Sequence, residues 1–312
     1  MITIGYGCLW PEGHFGRQIA QDFAARVGAL SGGAIAVVVT PPTPDMDSTR
    51  AVLDGRLQMA SGHAIQEFAP EIGLSYLPYL YHSFEHFQRV WTLGGSPVSD
   101  AVIRRFAERE LPVEVLGYSL IGKRNMITRE RAIAGMADFA RLKVRVDGSP
   151  TATATFAALA AEPVAIEYHQ TLAALRDGAV DAAENSPFNL IAMGWWEACT
   201  HVSLTEHLLL LNVEIVNAAF WRGLAPAHQT LLRSEMQGAC RLFAATAQAQ
   251  YASAIHRLAH EYRLRVNGLA AEARAGLAAA LEPMRAAFVA RHRLEEAYAW
   301  VVAAGRAPEV RV

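Results

Sequence analysis

An organic anion taken out of water loses its hydration, so a site for one needs a side chain that keeps its charge and offers paired donors. A guanidinium does both. Arg145 is well positioned for this, near the end of the apolar stretch Leu142-Lys143-Val144-Arg145-Val146, where a strand would carry it to the edge of a sheet. The plain alternative is an arginine that projects from a strand edge into solvent. Asn185 carries a donor and an acceptor on one side chain. His63 can hydrogen-bond a hydroxyl group, and a solvated or core-paired imidazole is at least as good a reading of it. Other chemistries would need other patterns. The sequence has no G-x-S-x-G elbow, no H-E-x-x-H, no G-x-x-x-x-G-K-[ST] and no G-x-G-x-x-G opening a helix. His201 and His207 stand six apart beside Glu206, which is not a metal-site spacing and favours structural roles. Cys199 has no histidine partner of known pattern beyond His201. No cofactor or metal is expected, and an enzyme is the weaker reading.

The elements that would position such groups alternate as strands and amphipathic helices, the pattern of an α/β protein with largely parallel sheets. Ile2 to Tyr6 reads as a strand. Phe15, Ile19, Phe23, Val27 and Leu30 recur at helical spacing, Gly32-Gly33 stops that helix, and Ile35 to Thr40 is the next strand, completing a βαβ unit. Pro41 to Pro44 ends the second strand, and Asp47 or Ser48 could cap a short helix. A second series follows Gly117, with strands at Leu142 to Val146, Pro163 to Ile166 and around Val180, and helices at Thr151 to Leu159 and Gln170 to Arg176. From about Ala225 an Ala-rich stretch keeps Leu232, Met236, Ala239, Phe243, Ala247, Tyr251, Ala254 and Leu258 on one helical face, long enough to span two small domains.

The 312 residues, 52% hydrophobic and 19% charged, suffice for two cores. A formal charge of -2 leaves no basic surplus for nucleic acid, and no apolar run approaches the roughly 20 residues of a membrane span. Three cysteines, Cys8, Cys199 and Cys240, allow one bridge and leave at least one thiol. Met1 runs directly into the strand-like Ile2 to Gly7, so no signal peptide is expected at this end.

Five segments in fixed order carry a resemblance that runs almost end to end. They are Phe15 to Thr40; Ala51-Val52-Leu53-Asp54-Gly55-Arg56-Leu57-Gln58-Met59-Ala60; Pro70-Glu71 with Leu77-Pro78-Tyr79-Leu80-Tyr81; Leu142 to Val146 with Ala161-Glu162-Pro163; and Leu172-Ala173-Ala174-Leu175-Arg176-Asp177-Gly178-Ala179-Val180-Asp181-Ala182-Ala183-Glu184-Asn185. Leu204-Thr205-Glu206-His207 and the strand through Asn217 follow in place. Together they resemble the solute-binding subunits of tripartite (TRAP) transporters, the DctP family, of the dicarboxylate and sialic-acid branch. Gln58 stands where that family usually has Asp, Gln170 where Glu is common, Ala182 for Gly and Ala183 for a frequent Gln. These departures leave the fold reading intact and bear on the substrate.

The resemblance implies a two-lobed, periplasmic-binding-protein-like α/β fold of type II, with two mixed sheets flanked by helices and a long helix spanning both lobes. Lobe I would comprise 1–123 with 213–250, and lobe II 124–212 with 251–312. It implies a periplasmic protein that captures a small organic acid in the interdomain cleft for TRAP membrane subunits, itself not embedded in the membrane. A receptor-linked sensor would use the same cleft. A monomer is expected, and a C-terminal helix from about Glu282 to Ala304 is long enough to permit a dimer, although Arg285, Arg291 and Arg293 make it look solvated. Arg145 corresponds to the family's carboxylate-gripping arginine and Arg124 to a second arginine approaching the same ligand. Asn185 corresponds to a ligand-contacting asparagine and Tyr168 to an aromatic wall, while Ser61 and His63 would face the cleft from the first lobe. Glu184 would hold an arginine rather than touch an anion. Trp10, His14, Trp195, Asn212 and Glu214 are lesser candidates.

Overall fold

The computed structural model describes residues 1–40, 47–62 and 69–306; the Pro41 to Pro44 run and His63 lie outside them. Nine strands occur among the described residues: β1 (Ile2–Gly7), β2 (Ile35–Thr40), β3 (Met59–Gly62), β4 (Val113–Thr128), β5 (Lys143–Val146), β6 (Glu162–Ala165), β7 (Ala182–Asn185), β8 (His201–Asn217) and β9 (Arg265–Gly268). The first βαβ unit is as expected: the helix Phe15–Leu30 joins the parallel pair β1 and β2, burying Ile19, Phe23 and Val27. Gly32 and Gly33 follow it at positive φ, which a glycine adopts without strain. Asp47 caps the helix Ser48–Leu53 by accepting from the Arg50 amide.

The strands run in the order β2-β1-β3-β8-β4-β7-β5-β6, with β9 beside β8. Strands β4 and β8 form a long antiparallel ladder that serves both ends of the molecule. Residues 213–216 of β8 pair with β3, residues 201–204 with β9, and Asn125 to Thr128 of β4 with β7. The two sets of flanking strands therefore share one continuous ladder, and the chain passes between them along β4 and β8. Between the pairs Arg124↔Leu208 and Met126↔Ser203 the ladder breaks register, so Thr205, Glu206 and His207 bulge from β8. Glu206 has φ 45°, the left-handed region that non-glycine residues rarely enter.

Burial follows the same division. One large core gathers the residues of β1, β3 and the early part of β4 with most of the long helix Pro226–His260. Two smaller cores lie on the two faces of the second strand set, one around Phe139, Val144 and Phe156, the other around Leu175, Val180 and Trp195. The long helix gives Met236, Cys240, Phe243, Ala247 and Ala254 to the large core and Leu258 to a smaller one. Its 35 residues reach roughly 50 Å.

The C-terminal region departs from expectation. One helix from Glu282 to Ala304 is in fact two, Glu282–His292 and Glu295–Ala304, turned by Arg293 at φ 56°. Arg285 is buried rather than solvated: it donates to the Pro78 and Ala278 carbonyls and pairs with Glu282. Val289, Leu294, Val301 and Ala304 join the large core. All three cysteines are free and buried, and burial pushes the Cys8 thiol up to about 11 and the Cys199 thiol to about 12.

Candidate anion-binding site

Four strands and one short turn bring the site together. Arg124 comes from β4 at the register break, Arg145 from β5, Glu184 and Asn185 from β7, and His207 from the β8 bulge; Tyr168 opens the turn Tyr168–Gln170 that follows β6. The parallel pairing of β5 with β7 and the antiparallel pairing of β7 with β4 set both arginines beside the β7 acid and amide. Arg145 and Arg124 are only 4% and 7% exposed, so both charges have been withdrawn from water and each must be compensated.

For Arg124 the compensation is internal. Its Nε and Nη2 grip the two Glu184 carboxylate oxygens, Nη2 also donates to the Glu184 carbonyl at 2.8 Å, and Nη1 donates to Asn185 Oδ1 at 3.2 Å. His207 Nε2 lies 3.5 Å from the same carboxylate, and its Nδ1 meets Thr205 Oγ1 at 2.8 Å. Burial would raise the Glu184 carboxyl, but Arg124 and His207 outweigh it and hold the group well below the usual carboxylate range.

Arg145 is different. Its Nε donates to the Ile166 carbonyl at 2.8 Å and its guanidinium lies 5.7 Å from the Tyr168 ring centre, yet it forms no ion pair among the described residues. Burial consequently lowers its affinity for its own proton, only partly offset by the charges of Glu184 and Asp147. The Nη edge, with four N–H groups, is left to meet a carboxylate. Tyr168, 37% exposed, accepts from Asn185 Nδ2 at 3.1 Å, which leaves its own hydroxyl proton to donate. A groove of about 560 Å³ is lined by Asp147, two residues beyond Arg145, and by Gly73, Thr151, Phe288, Arg291 and His292 among others.

A hydrogen-bonded chain leads from this cluster to the first strand set. Asn185 Oδ1 also accepts from the Ser186 amide and from Asn189 Nδ2, and Asn189 Oδ1 accepts from His14 Nε2 at 3.1 Å. His14 caps the helix Phe15–Leu30, its Nδ1 accepting from the Gly16 amide at 2.9 Å, so the proton sits on Nε2. Burial depresses its pKa to about 4, and Trp10 stacks on its ring at 4.5 Å.

Of the residues named from sequence, the structure gathers Arg145, Arg124, Asn185 and Tyr168. Ser61 stands apart: β3 pairs it with Glu214, and its hydroxyl donates to that carboxylate at 3.0 Å inside the large core. Tyr6 and Ser119 donate to Glu214 as well, at 2.8 and 2.6 Å. His63 lies outside the described residues. Glu184 holds an arginine, as expected. His207 was read as structural and Asn189 was not singled out, because the first reaches Glu184 only through the β8 bulge and the second only through the fold of the segment after β7. Trp195 packs fully buried against Tyr168 at 5.5 Å. Among the described residues no three His, Cys, Asp or Glu side chains are arranged to hold a metal ion, and no helix is long and apolar enough to cross a membrane.

Residues 6–292 match the family of bacterial extracellular solute-binding proteins, family 7, also called DctP. A solute-binding protein of Roseobacter denitrificans is 26% identical over 79% of this chain and 73% of its own. The C4-dicarboxylate-binding periplasmic protein DctP of Rhodobacter capsulatus is 24% identical over 85% and 80%. Matches to two other curated relatives span 46% and 53% of those proteins' lengths. A TRAP periplasmic solute-binding protein of Roseobacter denitrificans, crystallised with β-D-glucuronate, superposes with a TM-score of 0.88 at 21% identity, covering 96% of this chain and 99% of its own. The two-lobed fold of the solute-binding proteins is thus the fold of this chain.

Proposed function

Since the chain belongs to family 7 of the bacterial extracellular solute-binding proteins, we propose that it captures a small organic acid by its carboxylate on Arg145, in a cleft between two lobes, and hands it to the membrane subunits of a TRAP transporter. The observation that carries this reading is Arg145 itself, a buried guanidinium with no ion pair among the described residues and an unused Nη edge. Arg124, held by Glu184, acts chiefly to fix Asn185. Tyr168 forms the wall and offers its hydroxyl. Family membership supports binding rather than catalysis, and the periplasmic names of relatives support action outside the cytoplasm.

In this reading the chain passes between the lobes along β4 and β8, near Arg124 and Leu208. The boundaries 1–123 with 213–250 and 124–212 with 251–312 are drawn there, and the packing of Val289, Leu294, Val301 and Ala304 argues for giving the last two helices to lobe I. A ligand that touches both lobes only when they are closed binds that form more tightly and shifts the population toward it. The His14 to Asn189 bond joins the two lobes directly, and Ser61, committed to Glu214, contributes less to a ligand than a free hydroxyl would.

A thermal-shift screen against organic and sugar acids tests the proposal. A ligand at 100 times its Kd stabilises by about 2.7 kcal/mol, a readily measured rise in melting temperature. We expect one acid class to give that rise and Arg145→Ala to abolish it. An equal response in the variant would remove Arg145 as the anchor.

A further inference from the structure

Two exposed histidines take no part in the anion site. His256 and His260 stand one turn apart at the end of the long helix Pro226–His260, with ring centres 4.4 Å apart and planes tilted by 40°. Residues four apart on a helix share one face. We propose that this pair binds one divalent transition-metal ion of the class that imidazole ligands suit, Ni²⁺, Cu²⁺ or Zn²⁺. Metal–imidazole bonds of about 2.0–2.1 Å put two ligating nitrogens roughly 3 Å apart. Rings at 4.4 Å reach that spacing by small rotations, which exposed side chains make readily. Neither ring makes a hydrogen bond or an ion pair among the described residues, so a nitrogen of each is available as a ligand.

A second histidine pair at the same spacing makes the contrast. The rings of His82 and His86 are 5.5 Å apart, but His86 is buried, its Nε2 meets the Val301 carbonyl at 2.8 Å and its Nδ1 accepts from the His82 amide at 3.2 Å. His86 has no nitrogen to spare. At His256 and His260 the backbone also favours a cation, because His260 closes a 35-residue helix and its last turn carries the negative end of the helix dipole. Arg257 and Arg263, on either side of His260 in the chain, oppose that field, and Glu261 meets the first of them at 2.9 Å. Two protein ligands leave the other coordination positions to water, so the ion is held less tightly than in a four-ligand site. Bound to both rings, it closes a loop over one turn and holds the end of the helix wound.

Calorimetric titration of the tag-free protein with NiCl₂ or ZnCl₂ at pH 7.5 makes the test, with MgCl₂ as the control ion that prefers oxygen ligands. We expect one Ni²⁺ or Zn²⁺ per chain and no response to Mg²⁺. His256→Ala and His260→Ala should each weaken binding at least about tenfold, since each removes one of two linked donors. Melting should follow the same pattern: Ni²⁺ raises the melting temperature of the wild type and leaves that of the double variant unchanged. Both positions are exposed, so the variants should melt as the wild type does in EDTA. Equal Ni²⁺ affinity in the double variant, or no saturation of the wild type by either transition metal up to about 1 mM, overturns the assignment.

Discussion

Glu184, its side chain 12% exposed, and the buried Glu214 lie on one sheet and have opposite neighbourhoods. Glu184 faces a guanidinium and an imidazole; Glu214 faces three hydroxyls, from Tyr6, Ser61 and Ser119, with no cation in contact among the described residues. Burial works against the charge of each. In Glu184 the guanidinium and imidazole neighbours reverse it and the group is held ionised; in Glu214 the hydroxyl bonds oppose burial without overcoming it, and the carboxyl is pushed up. The difference lies in the partners: Glu184 is locked to one arginine across β4 and β7, whereas Glu214, ringed by hydroxyls, ties four strands together beneath two helices.

Three substitutions probe that contrast. Glu184→Gln should have the largest effect, because it leaves Arg124 buried without its counter-charge; about 3–5 kcal/mol of stability is expected to go, read by urea unfolding at pH 7. The folded-state pKa is depressed, so the wild-type advantage is present above the glutamate's ordinary value of 4.5 and shrinks as pH falls below it. A gap that stays the same from pH 7 to pH 3 would mean the pair is not what stabilises the cluster. Glu214→Gln should behave in the reverse sense. With a raised folded pKa, the wild type loses stability as pH climbs above 4.5, by about 1.4 kcal/mol for each pH unit in which only the unfolded chain is ionised. The variant should therefore match wild type near pH 4 and equal or exceed it at pH 8, as melting curves would show. A wild-type advantage that grows as pH rises would instead place Glu214 with Glu184 as a charge-paired acid.

The smallest effect is expected of His14→Asn. Asparagine keeps the helix cap but not the reach to Asn189, so about 1 kcal/mol should be lost at pH 7. The His14 pKa is lowered to about 4, so its contribution is complete above pH 6.5 and declines from there toward pH 4. The variant should show a flatter stability profile in that window; an unchanged slope would assign the acid sensitivity to another group.

How far the sequence was readable depends on the distance over which each feature is decided. The strand carrying Arg145, the βαβ unit and the long helix are local patterns of apolar spacing, and each appears close to its expected bounds. Arg124, Arg145 and Asn185 were legible because their types and flanking segments carried the family resemblance. The partner of Ser61 was not legible, since Glu214 is 153 residues away and only the β3 to β8 register joins them. His207 was undervalued for a related reason, because a regular β8 would not have displaced it toward Glu184. Arg285 looked like a surface charge because nothing local announces the Pro78 carbonyl that receives it, 207 residues earlier.

The β4–β8 ladder also limits how this protein can change. A strand has a side-chain period of two, so deleting one residue from Val113–Thr128 would turn every later side chain to the other face, Arg124 among them. Insertion into β8 would meet the same obstacle on the far side of its bulge. These strands can therefore exchange residues but not lengthen or shorten, and a new ligand preference has to be written in side chains on a fixed frame.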